Sequence, residues 1–332
     1  MSPRLTLALD QGTLSFPDGG DILVDTPALS FDLTALDARR VIIRHGFWPD
    51  AEAWGARGYR VTQTRPERVA AAIVALPRAK DQARAMIAAA AGCSDGPVIV
   101  DGAKTDGVDS ILKDVRKRCP VHGPVNKAHG KLFWLTRPDV LPEAVADWIA
   151  EPGETEDGFV TAPGMFSPDG ADQGSEVLVA LVPHLKGRVA DLGAGWGYMS
   201  AVLLDEQESI AAMDLIEAEY AALQAARSNV DDPRARFFWA DATVFEPEER
   251  YDAIISNPPF HTGRAADPAL GQAFIAAVAR MLKPSGQFFM VANQHLPYEA
   301  TLKAHFGTGK LLAEIAGYKL YQAGKPKGVR RG

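Results

Sequence analysis

The chain has 332 residues, 47% of them hydrophobic and 23% charged, with a formal net charge of −7. That length suits about two globular domains, and no uninterrupted apolar run reaches membrane-spanning length. No basic-then-apolar leader opens the sequence, so the chain reads as cytoplasmic and without a membrane partner.

In the N-terminal half, the apolar stretches Leu5–Leu9 and Leu14–Phe16 predict a hairpin. Val41–Arg44, Tyr59–Gln63, Ala71–Leu76 and Val98–Val100 predict strands, and Asp81–Ala91 an Ala-rich helix. Cys93 and Cys119 are too few for a disulfide framework and lack metal-ligand spacing. They read as reduced, buried thiols, and no metal is expected. Lys113, Arg116, Lys117 and Arg118, followed by Lys127 and Lys131, form a basic stretch; Lys325, Lys327, Arg330 and Arg331 form a basic tail. Each is either a solvated face or a docking surface for an acidic partner, so the negative overall charge decides little.

Residues 151–158, Glu-Pro-Gly-Glu-Thr-Glu-Asp-Gly, are acidic and hold no long apolar side chain. They read as an interdomain linker, placing one domain at 1–153 and a second at 154–332. Beyond them, strands are expected at Arg188–Leu192, Ile210–Ile216, Ala235–Trp239, Ala253–Ser256 and Gln287–Ala292. Helices are expected at Gly174–Val182, Tyr198–Leu204, Ala218–Asn229 and Ala269–Leu282, and a late antiparallel pair at Lys310–Ile315 and Tyr318–Gln322. Such alternation implies a parallel, doubly wound α/β sheet. The N-terminal half repeats the rhythm more poorly and reads as a decayed duplicate, a scaffold or binding platform stripped of its chemistry. In that comparison Val41–Arg44 stands where the second half has Val189–Leu192, and Val98–Gly102 stands where it has Ile255–Pro258.

Val189-Ala190-Asp191-Leu192-Gly193-Ala194-Gly195-Trp196-Gly197 is a strand entering a glycine turn ahead of a helix. Gly193 and Gly195 allow backbone angles and close approach that a Cβ forbids, so a ligand can lie against the main chain at the carboxyl edge of the sheet. Glycines at alternate positions, preceded by Asp191, fit the ammonium of S-adenosylmethionine better than a dinucleotide pyrophosphate. Glu217, at the tip of the next strand, can accept from both ribose hydroxyls. Asp214 is the rival, but the helical pattern begins just after Glu217. Asp241 can accept from the adenine amino group while the Ala242 N–H meets a ring nitrogen.

Ser256-Asn257-Pro258-Pro259-Phe260 follows the apolar run Tyr251–Ile255. Paired prolines cannot continue a ladder, so the strand ends there. The Asn257 side-chain oxygen and the Pro258 carbonyl can accept both N–H bonds of a planar amine and push it towards tetrahedral geometry. Phe260 can stack on the base. The methyl donor is already activated, so alignment supplies most of the gain. A single-stranded or extruded base is needed to reach such a pocket. His261 either accepts a proton or shapes the turn, and Trp196 either packs over the cofactor or belongs to the core. Asn293, His295 and Tyr298 lie at the same sheet edge as candidate pocket residues, while Phe166 and Asp172 are candidates to close over the methionine end.

Over about Gly164–Gln322 the chain resembles the class I S-adenosylmethionine-dependent methyltransferases, and more narrowly the RsmC-like ribosomal RNA guanine-N2 methyltransferases. Gly164–Gly170 with Asp172, Gly174 and Ser175, then Asp191–Gly195, Asn257–Gly263 and Val291–Tyr298 carry the resemblance. Pro77–Lys80, ahead of the Ala-rich helix, is similar to a weaker N-terminal signature. The resemblance implies two tandem Rossmann-like domains with a degenerate first one, S-adenosylmethionine as cofactor and a guanine of ribosomal RNA as substrate, most simply in 16S rRNA. It also implies a ribosomal RNA or subunit partner; the internal duplication suits a monomer. Adenine N6 or a protein glutamine is the rival substrate, and a non-catalytic RNA-binding assembly factor the rival class.

Overall fold

A computed structural model describes residues 3–136, 141–149, 153–162, 164–259, 261–262, 265–266 and 268–327. The chain divides into two compact units, Met1–Glu151 and Pro152–Gly332.

The first unit runs α1 (Pro3–Asp10), β1 (Ile22–Asp25), β2 (Val41–Arg44), α2 (Trp48–Ala56), β3 (Arg60–Thr62), β4 (Ala71–Ala75), α3 (Lys80–Cys93), β5 (Val98–Ala103), α4 (Val108–Arg116), β6 (His122–Lys127), β7 (Gly130–Leu135) and α5 (Leu141–Ala144). Its sheet has the order β3-β2-β1-β4-β5-β7-β6. The first five strands are parallel, and β7 and β6 close the sheet antiparallel. Successive strand residues feed opposite apolar layers, because side chains alternate across a strand. Leu23, Val74 and Val100 pack with α3 and α4, whereas Val24, Ile43 and Ile73 pack with Leu5, Ala8 and Trp54 of α1 and α2.

The second unit runs β8 (Gly153–Glu154), β9 (Val160–Thr161), α6 (Gln173–Leu181), β10 (Gly187–Leu192), α7 (Tyr198–Glu206), β11 (Ile210–Glu217), α8 (Tyr220–Asn229), β12 (Ala235–Trp239), β13 (Tyr251–Ser256), β14 (His261–Thr262), β15 (Ala265–Ala266), α9 (Pro268–Met281), β16 (Leu282–Asn293), α10 (Glu299–His305), β17 (Phe306–Ile315) and β18 (Tyr318–Pro326). Its main sheet, β12-β11-β10-β13-β16-β18-β17, has the strand order of the first unit position by position. The protein is therefore two tandem Rossmann-like α/β domains. Leu192, Ile254 and Met290 pack towards α9 and α10, while Val189, Leu215 and Ile255 pack towards α6, α7 and α8.

Three sequence expectations need correction. The N-terminal segment is helix α1 and not a hairpin: Arg4, Leu5 and Ala8 share one buried face at helical spacing, and Leu5 and Ala8 join an apolar layer that a strand pair would not reach. The internal duplication is offset by one strand. Ile22–Asp25 occupies the place of Gly187–Leu192, and Val41–Arg44 that of Ile210–Glu217. Asp25 lies opposite Val74 as Asp191 lies opposite Ile255, so Leu76-Pro77, and not the Val98 strand, corresponds to Asn257-Pro258. Lastly, residues 153–161 are built onto the second unit. β8 and β9 pair antiparallel, and the Asn229 side chain brackets Val160, accepting from its N–H at 2.7 Å and donating to its carbonyl at 2.9 Å.

The counterpart of the glycine turn in the first unit is filled from within. Asp25 is fully buried, and its carboxylate is held by Arg44 at 2.5 Å and Arg65 at 2.6 Å. Two guanidinium groups thus neutralise the acid that ends the first strand. Thr26, at φ 53°, makes the left-handed turn without a glycine.

Candidate functional site

The carboxyl ends of β10 and β13, neighbours at the middle of the second sheet, carry the glycine turn and Asn257. Ser256 donates its hydroxyl to the Leu192 carbonyl at 2.7 Å, tying the two strand ends together. Gly193, Gly195 and Gly197 have φ of 73°, 56° and 90°, values that L side chains rarely adopt. A Cβ on Gly193 would also reach 3.4 Å from the Phe274 ring. The turn is held by its own main chain: the Gly193 and Ala194 N–H groups donate to the Ile216 carbonyl at 2.9 and 3.2 Å, and the Gly197 N–H donates to the Ala194 carbonyl at 3.0 Å.

Asp191 has no exposed surface. Its Oδ2 accepts from Ser200 Oγ at 2.8 Å, while Oδ1 is buried without a hydrogen-bond partner among the described residues. Burial, with a contribution from the charge of Glu217, pushes its carboxyl up to about 7; the Ser200 bond acts the other way. A buried acceptor lacking a donor fits a cationic ligand group such as an ammonium.

Glu217 is the last residue of β11. Its two oxygens accept from the Gly195 N–H and the Glu219 N–H, each at 2.8 Å. Burial raises its pKa and these backbone donors lower it, with the net shift upward. Its rival Asp214 sits three residues inside the strand, fully buried. It is taken up by Arg188 at 3.0 Å, Arg236 at 2.7 Å and the Tyr251 hydroxyl at 2.7 Å. Asp214 is a structural anion clamp. Asp241 follows β12; its Oδ1 accepts from both the N–H and the hydroxyl of Thr243 at 2.7 Å. Ala242 beside it is buried, and the Ala240 N–H bonds the Glu217 carbonyl at 3.1 Å, joining this loop to the tip of β11. Asp191, Glu217 and Asp241 thus mark the ends of three adjacent strands.

Asn257 is half-buried. Its Nδ2 donates to Asp172 Oδ2 at 2.8 Å and Ser175 Oγ at 3.0 Å, so both amide hydrogens are used. Pro258 is buried and Pro259 exposed. Phe260 lies outside the described residues. His261 belongs to β14, which pairs antiparallel with β15.

A narrow cleft, partly open to solvent, is lined by Phe166, Ser167, Asp172, Ser175, Gly193, Ala194, Gly195, Trp196, Tyr198, Met199 and Asn257. It brings the glycine turn and the carboxamide to one place; Asp191, Glu217, Asp241, Ala242 and Pro258 are not part of its lining. Trp196 is buried against Phe159 and Tyr198, and its indole N–H holds the Phe166 carbonyl at 3.0 Å. Phe166 itself is 58% exposed at the cleft. Asn293 ends β16 and accepts from the His295 N–H at 3.1 Å, whereas Tyr298 is fully buried against Gly271 and is a core residue. Sequence reasoning placed Ser175 in the resemblance without giving it a role, and did not single out Ser200. Asp172, three residues before Ser175, carries a helix-capping signal that points to the contact. Among the described residues no cluster of potential metal ligands occurs, and no helix is long and apolar enough to cross a membrane.

Residues 156–322 match the methyltransferase small domain family. The chain is 34% identical over 259 residues to ribosomal RNA small subunit methyltransferase C of Shewanella sp. (strain MR-4), covering 75% of each chain. It is 33% identical over 237 residues to the protein of that name from Cronobacter sakazakii, covering 70% of this chain and 69% of the relative. In fold it is similar to the T. thermophilus 16S rRNA N2 G1207 methyltransferase solved in complex with AdoMet and guanosine. That match has a TM-score of 0.76 and 24% identity, and covers 94% of this chain and 90% of the other.

Proposed function

The chain belongs to the ribosomal RNA small subunit methyltransferase C family, and from that membership we propose that it transfers a methyl group from S-adenosylmethionine to the exocyclic N2 amine of a guanine in 16S rRNA. The observation that carries this reading is the Asn257 amide, fixed at the end of β13 beside the glycine turn that follows β10.

Bound there, S-adenosylmethionine supplies a methyl group already activated on a sulfonium. The residues present fit it. The orphaned Asp191 oxygen suits the ammonium, and Glu217, set by two backbone donors, suits the ribose hydroxyls. Asp241 and Ala242 are assigned to the adenine.

A guanine amino nitrogen is a poor nucleophile because its lone pair is delocalised into the ring. Asn257 Oδ1 and the Pro258 carbonyl accept its two N–H bonds and localise that lone pair, with Phe260 assigned to stack on the base. No strong base is required, since positioning the reactants supplies most of the rate gain. The first domain, its own acid neutralised by Arg44 and Arg65, is assigned to RNA docking and scaffolding. We further assign a cytoplasmic location and a monomeric state.

The test incubates the protein and labelled S-adenosylmethionine with small-subunit rRNA from cells lacking it, then identifies the labelled nucleoside. N2-methylguanosine is expected. N6-methyladenosine would favour the adenine reading, and no label in either RNA or assembled subunits would favour a non-catalytic binder.

A further inference from the structure

We propose that Asp172 is a positioning residue that fixes which end of the Asn257 amide faces the substrate; this rests on the reading of Asn257 given above. The oxygen and nitrogen ends of a carboxamide are nearly alike in shape, so the surroundings must choose between them. Only the oxygen end can accept from an amino group.

The surroundings of Asn257 make that choice. Asp172 is the N-cap of α6, and its Oδ2 accepts from the Ser175 N–H at 3.1 Å and from Asn257 Nδ2 at 2.8 Å. Ser175 Oγ accepts the second amide hydrogen at 3.0 Å. The Tyr318 hydroxyl lies in the field of the same carboxylate: burial and the charge of Asp172 push its pKa up. Gly174 keeps that arrangement open: a Cβ there would come within 2.8 Å of the Tyr318 ring and 2.9 Å of Asp172 Oδ2.

An ionised carboxylate only accepts hydrogen bonds, and the N-terminus of a helix favours its charge. Turning the amide over would bring Asn257 Oδ1 to about 2.8 Å from a carboxylate oxygen, two acceptors facing each other with no proton between. With both Nδ2 hydrogens engaged, Oδ1 is the end left to the substrate.

Asp172→Ser separates this role from simple capping, because Ser caps helices about as well as Asp but its shorter side chain takes the carboxylate away from Asn257. The expected result is a fall in kcat of about 10–100-fold, the scale of a misplaced reacting group. S-adenosylmethionine affinity should stay within about threefold and the unfolding midpoint within about 2 °C, as for a retained cap. In 15N-resolved spectra the Asn257 side-chain amide protons, distinct in the wild type, should shift or broaden in the variant. A second arm exchanges the pair. Asn257→Asp alone places two carboxylates together, and adding Asp172→Asn should raise its kcat at least about tenfold, by restoring a donor facing an acceptor. Unchanged kcat in Asp172→Ser, or an exchanged pair no faster than Asn257→Asp alone, overturns the proposal. Asn257→Ala is measured alongside. If it is inactive while Asp172→Ser is fully active, only the positioning role fails; if it is itself fully active, the underlying assignment of Asn257 fails.

Discussion

The backbone N–H of Gly195 donates to Oε2 of Glu217 across 2.8 Å, so the glycine turn and the tip of the neighbouring strand are joined before any ligand arrives. The acid is held by two main-chain N–H groups, that of Gly195 in the turn and that of Glu219 just beyond the strand. It differs in kind from Asp214, whose partners are two arginines and a tyrosine inside the sheet.

That difference gives the first prediction. Glu217→Ala should weaken S-adenosylmethionine binding about 10–100-fold, the scale of one or two hydrogen bonds to a charged acceptor. Asp214→Ala should instead destabilise the fold by about 2–4 kcal/mol, since it leaves the buried Tyr251 hydroxyl and the partly buried Arg188 and Arg236 without their shared acceptor. Calorimetric titration and denaturant unfolding of both variants separate the effects, and the opposite order would reassign the ribose-binding acid.

Asp191 predicts a pH dependence. Its folded carboxyl is raised from 3.8 to about 7, chiefly by burial. In the ligand-free protein it therefore contributes stability that is fully present below about pH 4 and lost as pH rises through about 7. A cationic ligand group beside it favours the carboxylate, so binding releases a proton and tightens as pH rises towards 8. Titrations between pH 6 and 8 should show that trend in the wild type and a flat profile in Asp191→Asn. Asp191→Asn should also melt a few degrees higher than the wild type at pH 8 without ligand, about 2–4 °C per kcal/mol regained. A pH-independent wild-type affinity would remove the ammonium from Asp191.

The first domain predicts a salt effect. Lys113 and Arg116 lie on the exposed face of α4, opposite the buried Val108, Ile111, Leu112 and Val115, and the exposed Lys117 follows directly after it. Arg118 is already engaged by Asp147 and stacked over Trp148, and Lys131 is paired with Asp109. Neutralising Lys113, Arg116 and Lys117 should lower the slope of log affinity for RNA against log salt by about 2, at roughly 0.7 per single-strand phosphate contact. Neutralising Arg118 should change it little. An unaltered slope in the triple variant would exclude this face as the docking surface.

The second domain was largely legible because buried parallel strands read as short apolar runs and the Asp-x-Gly-x-Gly turn and Asn-Pro-Pro stop mark their ends. The first was not. Leu5, Leu7 and Leu9 alternate as a strand would, yet the packing of Leu5 and Ala8 selects a helix. Ile22–Asp25 is only four residues long, and the arginines that complete Asp25 come from positions 44 and 65. Sequence patterns report spacing along the chain, and neither that ion-pair set nor the Asp172–Asn257 bond, 85 residues apart in sequence, follows from spacing. The same limit led Tyr298 to be read as a pocket residue when its ring fills the core.

The central claim is that the Asn257 amide carries the transfer step while the cofactor is held by other residues. Single-turnover methyl transfer to guanine in small-subunit rRNA, measured with S-adenosylmethionine affinity for wild type and Asn257→Ala, tests it most directly. The account predicts a rate reduced at least about 100-fold, as for other lost transition-state contacts, with affinity changed no more than a few fold. A variant that transfers methyl groups at the wild-type rate, or loses rate only in proportion to cofactor affinity, would contradict it.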